Sequence, residues 1–123
     1  MLSRIFLFLL GLSPDVKRTL WRSWYQFLGN YYQKPDWRFM NYGFVDLEPD
    51  VGKIDLAQAD ENDRYFIQLY HQVASAVDLK GKQVLEVGSG RGGGTAYVAG
   101  YLKPDKMVGI DFSDNNIQLA RQT

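Results

Sequence analysis

Five glycines fall between Gly88 and Gly94 in the stretch LEVGSGRGGGT, directly after the short apolar run Gln83 to Val87. Glycine weakens both helix and strand interiors, so a run this dense marks a loop in which the backbone adopts conformations that side chains would forbid. The run before it is of strand length, and the apolar segment after it has room for a short helix. A buried strand, a glycine loop and a helix in that order confine the fold to a narrow set, because such a loop brings main chain close to whatever it holds.

The flanks extend the pattern into a βαβ unit. Upstream, DENDRYFIQLYHQVASAVDLKGK carries Phe66, Leu69, Tyr70, Val73 and Val77 at helical spacing, and this predicts a helix N-capped by Asp60 and ending near Asp78. Gly81 breaks it and admits the strand Gln83 to Val87. Downstream, the sequence predicts a helix over Thr95 to Leu102, a turn at Lys103-Pro104-Asp105-Lys106 and a second strand, Met107 to Ile110. Ser113 then reads as the N-cap of a helix opening at Asp114 and still running at Thr123. His71 neighbours the apolar stripe, where histidine is more often a packing or surface residue than a base.

Gly88, Gly90 and Gly92 let the backbone turn sharply and approach a ligand, with the following helix directing N–H groups toward it. The second strand ends in Asp111, nineteen residues beyond Gly92, where an acid accepts both hydroxyl hydrogen bonds of an adenosine ribose. Two cofactor classes fit, since Gly88-x-Gly90-x-x-Gly93 also satisfies the dinucleotide fingerprint. Glu86 discriminates between them. A carboxylate inside an apolar strand is costly to bury alone, and an anionic pyrophosphate nearby would repel it, whereas a cationic ligand would favour it. S-adenosylmethionine carries a sulfonium and an ammonium group, so Glu86, the glycine loop and Asp111 form a consistent set for it.

The rest of the chain sets limits. With no cysteine and one histidine in 123 residues, thiolate metal sites, disulfides and a cysteine nucleophile are excluded, and metal-free cytoplasmic chemistry is the expectation. The formal charge of zero hides a gradient: five Lys/Arg against one acid over residues 1–34, two against eight over 35–63, and seven against five over 64–123. Three segments follow: an amphipathic helical segment 1–34, an aromatic and acidic irregular segment 35–59, and the opening of a cofactor-binding domain, 60–123. In the first, the apolar run Ile5 to Leu12 is too short to span a bilayer and lacks a small-residue cleavage site. Ser13 N-caps a helix with Pro14 at its first position and Val16, Leu20, Trp24, Phe27 and Tyr31 at helical spacing, while Lys17, Arg18 and Arg22 sit on other faces. Such a helix suits either a packed first element or the water–lipid interface. In the second segment, Asp46, Glu48, Asp50 and Asp55 lack the spacing of a calcium loop. Its aromatics, Trp37, Phe39, Tyr42 and Phe44, either line a pocket or pin the loop to the core.

VLEVGSGRGGG followed by VGIDFS resembles the first two cofactor motifs of class I S-adenosylmethionine-dependent methyltransferases. FMNYGF and the whole of DENDRYFIQLYHQVASAVDLKGKQVLEVGSGRGGGTAYV are similar to the branch acting on phthiotriol and phenolphthiotriol lipids and related lipid or sterol methyltransferases. The resemblance implies an α/β, Rossmann-like fold that is incomplete here, with its first βαβ unit preceded by amino-terminal helices. It implies S-adenosyl-L-methionine as cofactor, held by Glu86, Gly88, Gly90, Gly92 and Asp111, with Phe112 near adenine, and a lipid or other hydrophobic small-molecule acceptor. It assigns no role to Arg91, no metal and no nucleic-acid partner, and it supplies no identified catalytic residue. The expected activity is methyl transfer by a cytoplasmic protein touching membrane peripherally through residues 1–32. Only two of the expected strands are found, so the chain reads as an amino-terminal fragment, inactive alone. The competing expectations are an NAD(P)-binding Rossmann oxidoreductase and a non-catalytic nucleotide-binding or membrane-associated module.

Overall fold

The computed structural model describes Gly11 and residues 13–31, 37–47 and 53–122. The chain divides into two compact units, Met1–Lys34 and Pro35–Thr123. In the first unit, helix α1 spans Pro14–Tyr31. Its start follows the sequence: the Val16 amide donates to Ser13 Oγ at 3.5 Å, the Lys17 amide to the Ser13 carbonyl, and Pro14 occupies the first turn, where no amide is needed. Val16, Leu20, Trp24, Phe27 and Tyr31 form an exposed strip, and the rings of Trp24, Phe27 and Tyr31 stack in series at 6.0 and 6.2 Å. Except for Gly11, the apolar run Ile5 to Leu12 lies outside the described residues. Among the described residues no helix is long and apolar enough to cross a membrane.

The second unit runs from an extended segment, 37–47, through a 3-10 helix, Gln58–Asp63, into helix α2, Arg64–Ala74. Strand β1 is Gln83–Val87, helix α3 is Gly93–Tyr97 continuing as a π-helical turn Val98–Leu102, strand β2 is Lys106–Ile110 and helix α4 is Asp114–Ala120. The strands pair in parallel, Gln83 opposite Lys106 through Val87 opposite Ile110, so the expected βαβ unit is present. Several expected boundaries move. The crossover helix begins at Gly93 rather than Thr95, β2 begins at Lys106, and α4 ends at Ala120, with Thr123 outside the described residues. Helix α2 stops at Ala74, short of Asp78, because the Ser75 amide and hydroxyl both close onto the His71 carbonyl and Asp78 instead accepts the Lys80 amide in a tight turn. Lys103, in the left-handed region at φ 52°, ends the π-helical turn just before Pro104.

Asp60 is not the N-cap of α2. It lies inside the 3-10 helix, and its carboxylate accepts from Arg38 at 3.2 Å and from the Tyr101 hydroxyl at 2.6 Å. Arg38 also pairs with Asp63 at 3.0 Å, and Arg64 forks onto Glu61, so much of the acidic run serves as a clamp for two arginines.

The core gathers Phe39, Leu56, Ile67, Tyr97 and Val98, with Phe66, Tyr70, Ala74 and Met107 packed around them. The stripe expected on α2 is rotated. Ile67, 1% exposed, is its centre, flanked by Phe66 and Tyr70, while Val73 is 71% exposed and Val77 also faces solvent. Phe39 and Tyr97 lie on the side that Ile67 presents, and that neighbour set decides which of two overlapping apolar stripes is covered.

Candidate functional site

The glycine loop leaves β1 at Gly88 and enters α3 at Gly93. Gly88, Gly90 and Gly92 all have positive φ, at 79°, 55° and 83°, alternating with Ser89 and Arg91. A side chain at any of the three would be strained, which explains why the loop is written in glycine. Its amides are largely committed inward. Those of Gly88 and Ser89 donate to the Ile110 carbonyl at 2.8 and 2.9 Å, that of Gly92 to Ser89, and that of Gly90 to Asp111 Oδ2 at 2.8 Å. The loop is thereby stitched to the end of β2.

The individual glycines do different things. A Cβ on Gly88 would meet no atom within 4 Å, so this glycine borders open space at the strand ends. On Gly92 it would lie 2.9 Å from the Ala120 methyl, on Gly93 2.8 Å from the Arg38 carbonyl, and on Gly94 it would fall within the Tyr70 ring. Three of the five glycines therefore clear space for the protein's own packing.

Glu86 is half-buried on the face of β1 that looks toward α2 and α3. Thr95 Oγ1 donates to its Oε2 at 2.5 Å, and the Tyr70 phenol lies near the same carboxylate. Burial, and then the nearby Glu86 carboxylate, push the Tyr70 phenol up to about 12. Opposite Glu86 in the sheet lies Gly109, where a Cβ would be 2.6 Å from Thr95 Oγ1 and 2.8 Å from the Ser89 Cβ. Thr95, Tyr70 and Gly109 were not expected as site residues. A phenol on a buried helical stripe was the one available signal, since a buried tyrosine hydroxyl needs a partner.

Asp111 stands just past β2, with Oδ1 accepting from the Ser113 amide at 2.8 Å and from Asn116 Nδ2 at 3.4 Å, and Oδ2 from Gly90. An ionised carboxylate offers roughly four acceptor positions, so these three bonds orient Asp111 without exhausting it. Phe112 follows with its ring exposed, and Ser113 caps α4 as expected by accepting the Asn116 amide at 3.4 Å. Thus Glu86, Gly88 and Asp111 all sit at the carboxyl ends of adjacent parallel strands, whereas Gly92 lies deeper, against α4.

The aromatic segment 37–44 packs along this loop. Phe39 is buried in the core; the Arg91 guanidinium lies 5.0 Å from the Trp37 ring centroid and also donates to the Trp37 carbonyl at 3.4 Å. Arg91 is 4% exposed, and burial lowers its pKa from the usual value. Met40 rests beside Gly90, and Asn41 ties the segment to α2 through the Phe66 carbonyl at 3.1 Å. Phe39 is thus a pin, while Tyr42 stands fully in solvent. His71 does not enter the site: its Nδ1 is 2.6 Å from the hydroxyl of buried Tyr97. A cavity of about 220 Å³ lies away from the strand ends, between Phe39, Ile67, Tyr97, Tyr101 and the Arg38–Asp60 pair. Among the described residues no group of three or more His, Cys, Asp or Glu could hold a metal ion.

Compared with known proteins, the chain resembles methyltransferases. It is 44% identical over 84 residues to a fatty-acid O-methyltransferase of Mycolicibacterium smegmatis, across 68% of this chain and 30% of that protein. It is 34% identical over 110 residues to the phthiotriol/phenolphthiotriol dimycocerosates methyltransferase of Mycobacterium tuberculosis, across 89% of this chain and 40% of the relative. A probable second phthiotriol/phenolphthiotriol dimycocerosates methyltransferase of Mycobacterium ulcerans is 33% identical over 107 residues, 87% of this chain and 41% of its own. The chain therefore spans less than half the length of these relatives. No protein-family profile and no solved structure matches it. Helices and two parallel strands are consistent with part of a methyltransferase fold.

Proposed function

We propose that this chain supplies the S-adenosylmethionine-binding part of a Rossmann-like methyltransferase whose acceptor is lipid-like. The carrying observation is Asp111, oriented by Ser113 and bonded to the Gly90 amide, beside the open space at Gly88. The residues suit the cofactor: the missing Cβ of Gly88 leaves room for a close ligand, and Asp111 retains an acceptor position for a ribose hydroxyl. S-adenosylmethionine would supply an electrophilic methyl on a sulfonium. The chain's own part is to bind and align: Asp111 holds the ribose, Gly88 and Gly90 admit the methionyl portion, Glu86 faces its positive charge, and Phe112 offers a ring near adenine. Exposed aromatic and apolar residues along α1, with Arg18 and Arg22 beside them, suit peripheral contact with an anionic lipid surface where such an acceptor resides.

Calorimetry with the purified protein tests the cofactor. Asp111→Ala should weaken S-adenosylmethionine binding by about 1.5 to 3 kcal/mol, the worth of charge-assisted hydrogen bonds. Unchanged affinity, or preference of the parent for NADH, would refute the assignment and favour the oxidoreductase reading. For α1, co-sedimentation with phosphatidylglycerol vesicles should fall with added salt and after Trp24→Ala and Phe27→Ala. If the parent never sediments with lipid, α1 is an ordinary packing helix.

A further inference from the structure

We infer that Thr95 and Tyr70 are positioning residues that fix the Glu86 carboxylate as the anionic partner of the positively charged methionyl end of S-adenosylmethionine. The inference rests on the cofactor reading above and assigns two residues to that site. Three observations carry it.

First, the groups around Glu86 are neutral hydroxyls: Thr95 Oγ1 donates to it at 2.5 Å, and the Tyr70 phenol lies near it. Among the described residues no lysine or arginine forms an ion pair with Glu86, although Asp60, Glu61 and Asp63 each have an arginine. Two hydroxyls orient a half-buried carboxylate but leave its charge uncompensated, and a carboxylate in that state favours an incoming cation. Second, even with both hydroxyls bonded to it at least two of its roughly four acceptor positions remain, so the same group can serve a ligand without breaking the internal bond to Thr95. Third, the backbone is shaped to permit the arrangement. Gly94 carries no side chain where the Tyr70 ring passes, and Gly109 carries none where Thr95 Oγ1 must sit. A threonine and a tyrosine from two helices converge on one strand residue because two glycines make room for them. Gly88, open to ligand, is two residues further along the chain from Glu86.

The alternative is that the three side chains only brace the strand against the helices. Calorimetric titration with S-adenosylmethionine and, separately, with 5′-methylthioadenosine distinguishes the two. The second ligand keeps the adenosine but lacks both the sulfonium and the amino-acid group. Thr95→Val and Tyr70→Phe should each weaken S-adenosylmethionine about 5- to 10-fold and change 5′-methylthioadenosine less than about 2-fold, and Thr95→Ser should restore parental binding. Equal losses for both ligands, or no loss for either, would overturn the positioning role while leaving the cofactor assignment intact. A parent that binds 5′-methylthioadenosine but not S-adenosylmethionine would overturn both.

A readout independent of cofactor comes from NMR of ζ-carbon-labelled tyrosine. In the parent, Tyr70 should titrate near pH 12, and Glu86→Gln, which removes a neighbouring negative charge, should bring that midpoint down. An unmoved midpoint means that Tyr70 and Glu86 do not touch, and the inference falls even if every other variant fails to fold.

Discussion

The two faces of the β1–β2 sheet are written by alternate residues of the same short strands, yet they face different surroundings. The inward face presents Val84, Glu86, Met107 and Gly109 to α2 and α3, where a hydrogen-bonded carboxylate sits among apolar packing. The outward face presents Leu85, Val87, Val108 and Ile110, and there Leu85 is 59% and Val87 76% exposed. Parallel strands are normally covered on both sides and therefore read as continuous apolar runs. The bare side is the more apolar of the two, since all four of its residues are aliphatic while the covered side includes Glu86 and Gly109. The covered side is marked out not by greater hydrophobicity but by specificity: it is shaped residue by residue, with glycines cut to fit particular rings and hydroxyls, while the outward one has only general apolar character.

Substitution can break or sharpen that contrast. The largest effect should come from Gly94→Ala, whose new methyl would fall within the Tyr70 ring in a packed interface; a loss of about 3 kcal/mol or more in urea unfolding is expected. A smaller cost, about 1 to 3 kcal/mol, should follow Gly109→Ala, since Thr95 and Ser89 can give slightly before a methyl at 2.6 to 2.8 Å. Smallest of all should be Val87→Thr on the outward face, within about 0.5 kcal/mol as for other exposed sites, with less binding of a hydrophobic dye. A cost above that for Val87→Thr, growing with protein concentration, would show the bare face covered by a second copy in solution.

The same contrast explains what the sequence made legible. The strands, the glycine loop and the Ser113 cap could be read because each is dictated by residues within a few positions: apolar runs of strand length, a density of glycine, a hydroxyl before a polar first turn. Ser13 could be read for the same reason. The burial of α2 could not, because its apolar residues form two overlapping stripes and the choice between them belongs to Phe39 and Tyr97, which are remote in sequence. Acids favour helix starts, so the sequence points to Asp60 as a cap, but DEND offers four such positions and Arg38 decides among them. Glu86 and Asp111 were recognisable as carboxylates at strand ends. Their partners were not, since Thr95 and Gly90 reach them from other elements.

The register of the sheet has a consequence for how the chain comes to be folded. Every β1–β2 pair is separated by about two dozen residues, as Gln83 and Lys106 are, so closing the loop between them costs little more entropy than closing a long hairpin. Parallel pairing is usually slow because its partners are distant, but here the crossover is short and partly helical. The glycine loop, Glu86 and Asp111 can therefore be assembled during synthesis as soon as Ile110 and the first turn of α4 have left the ribosome.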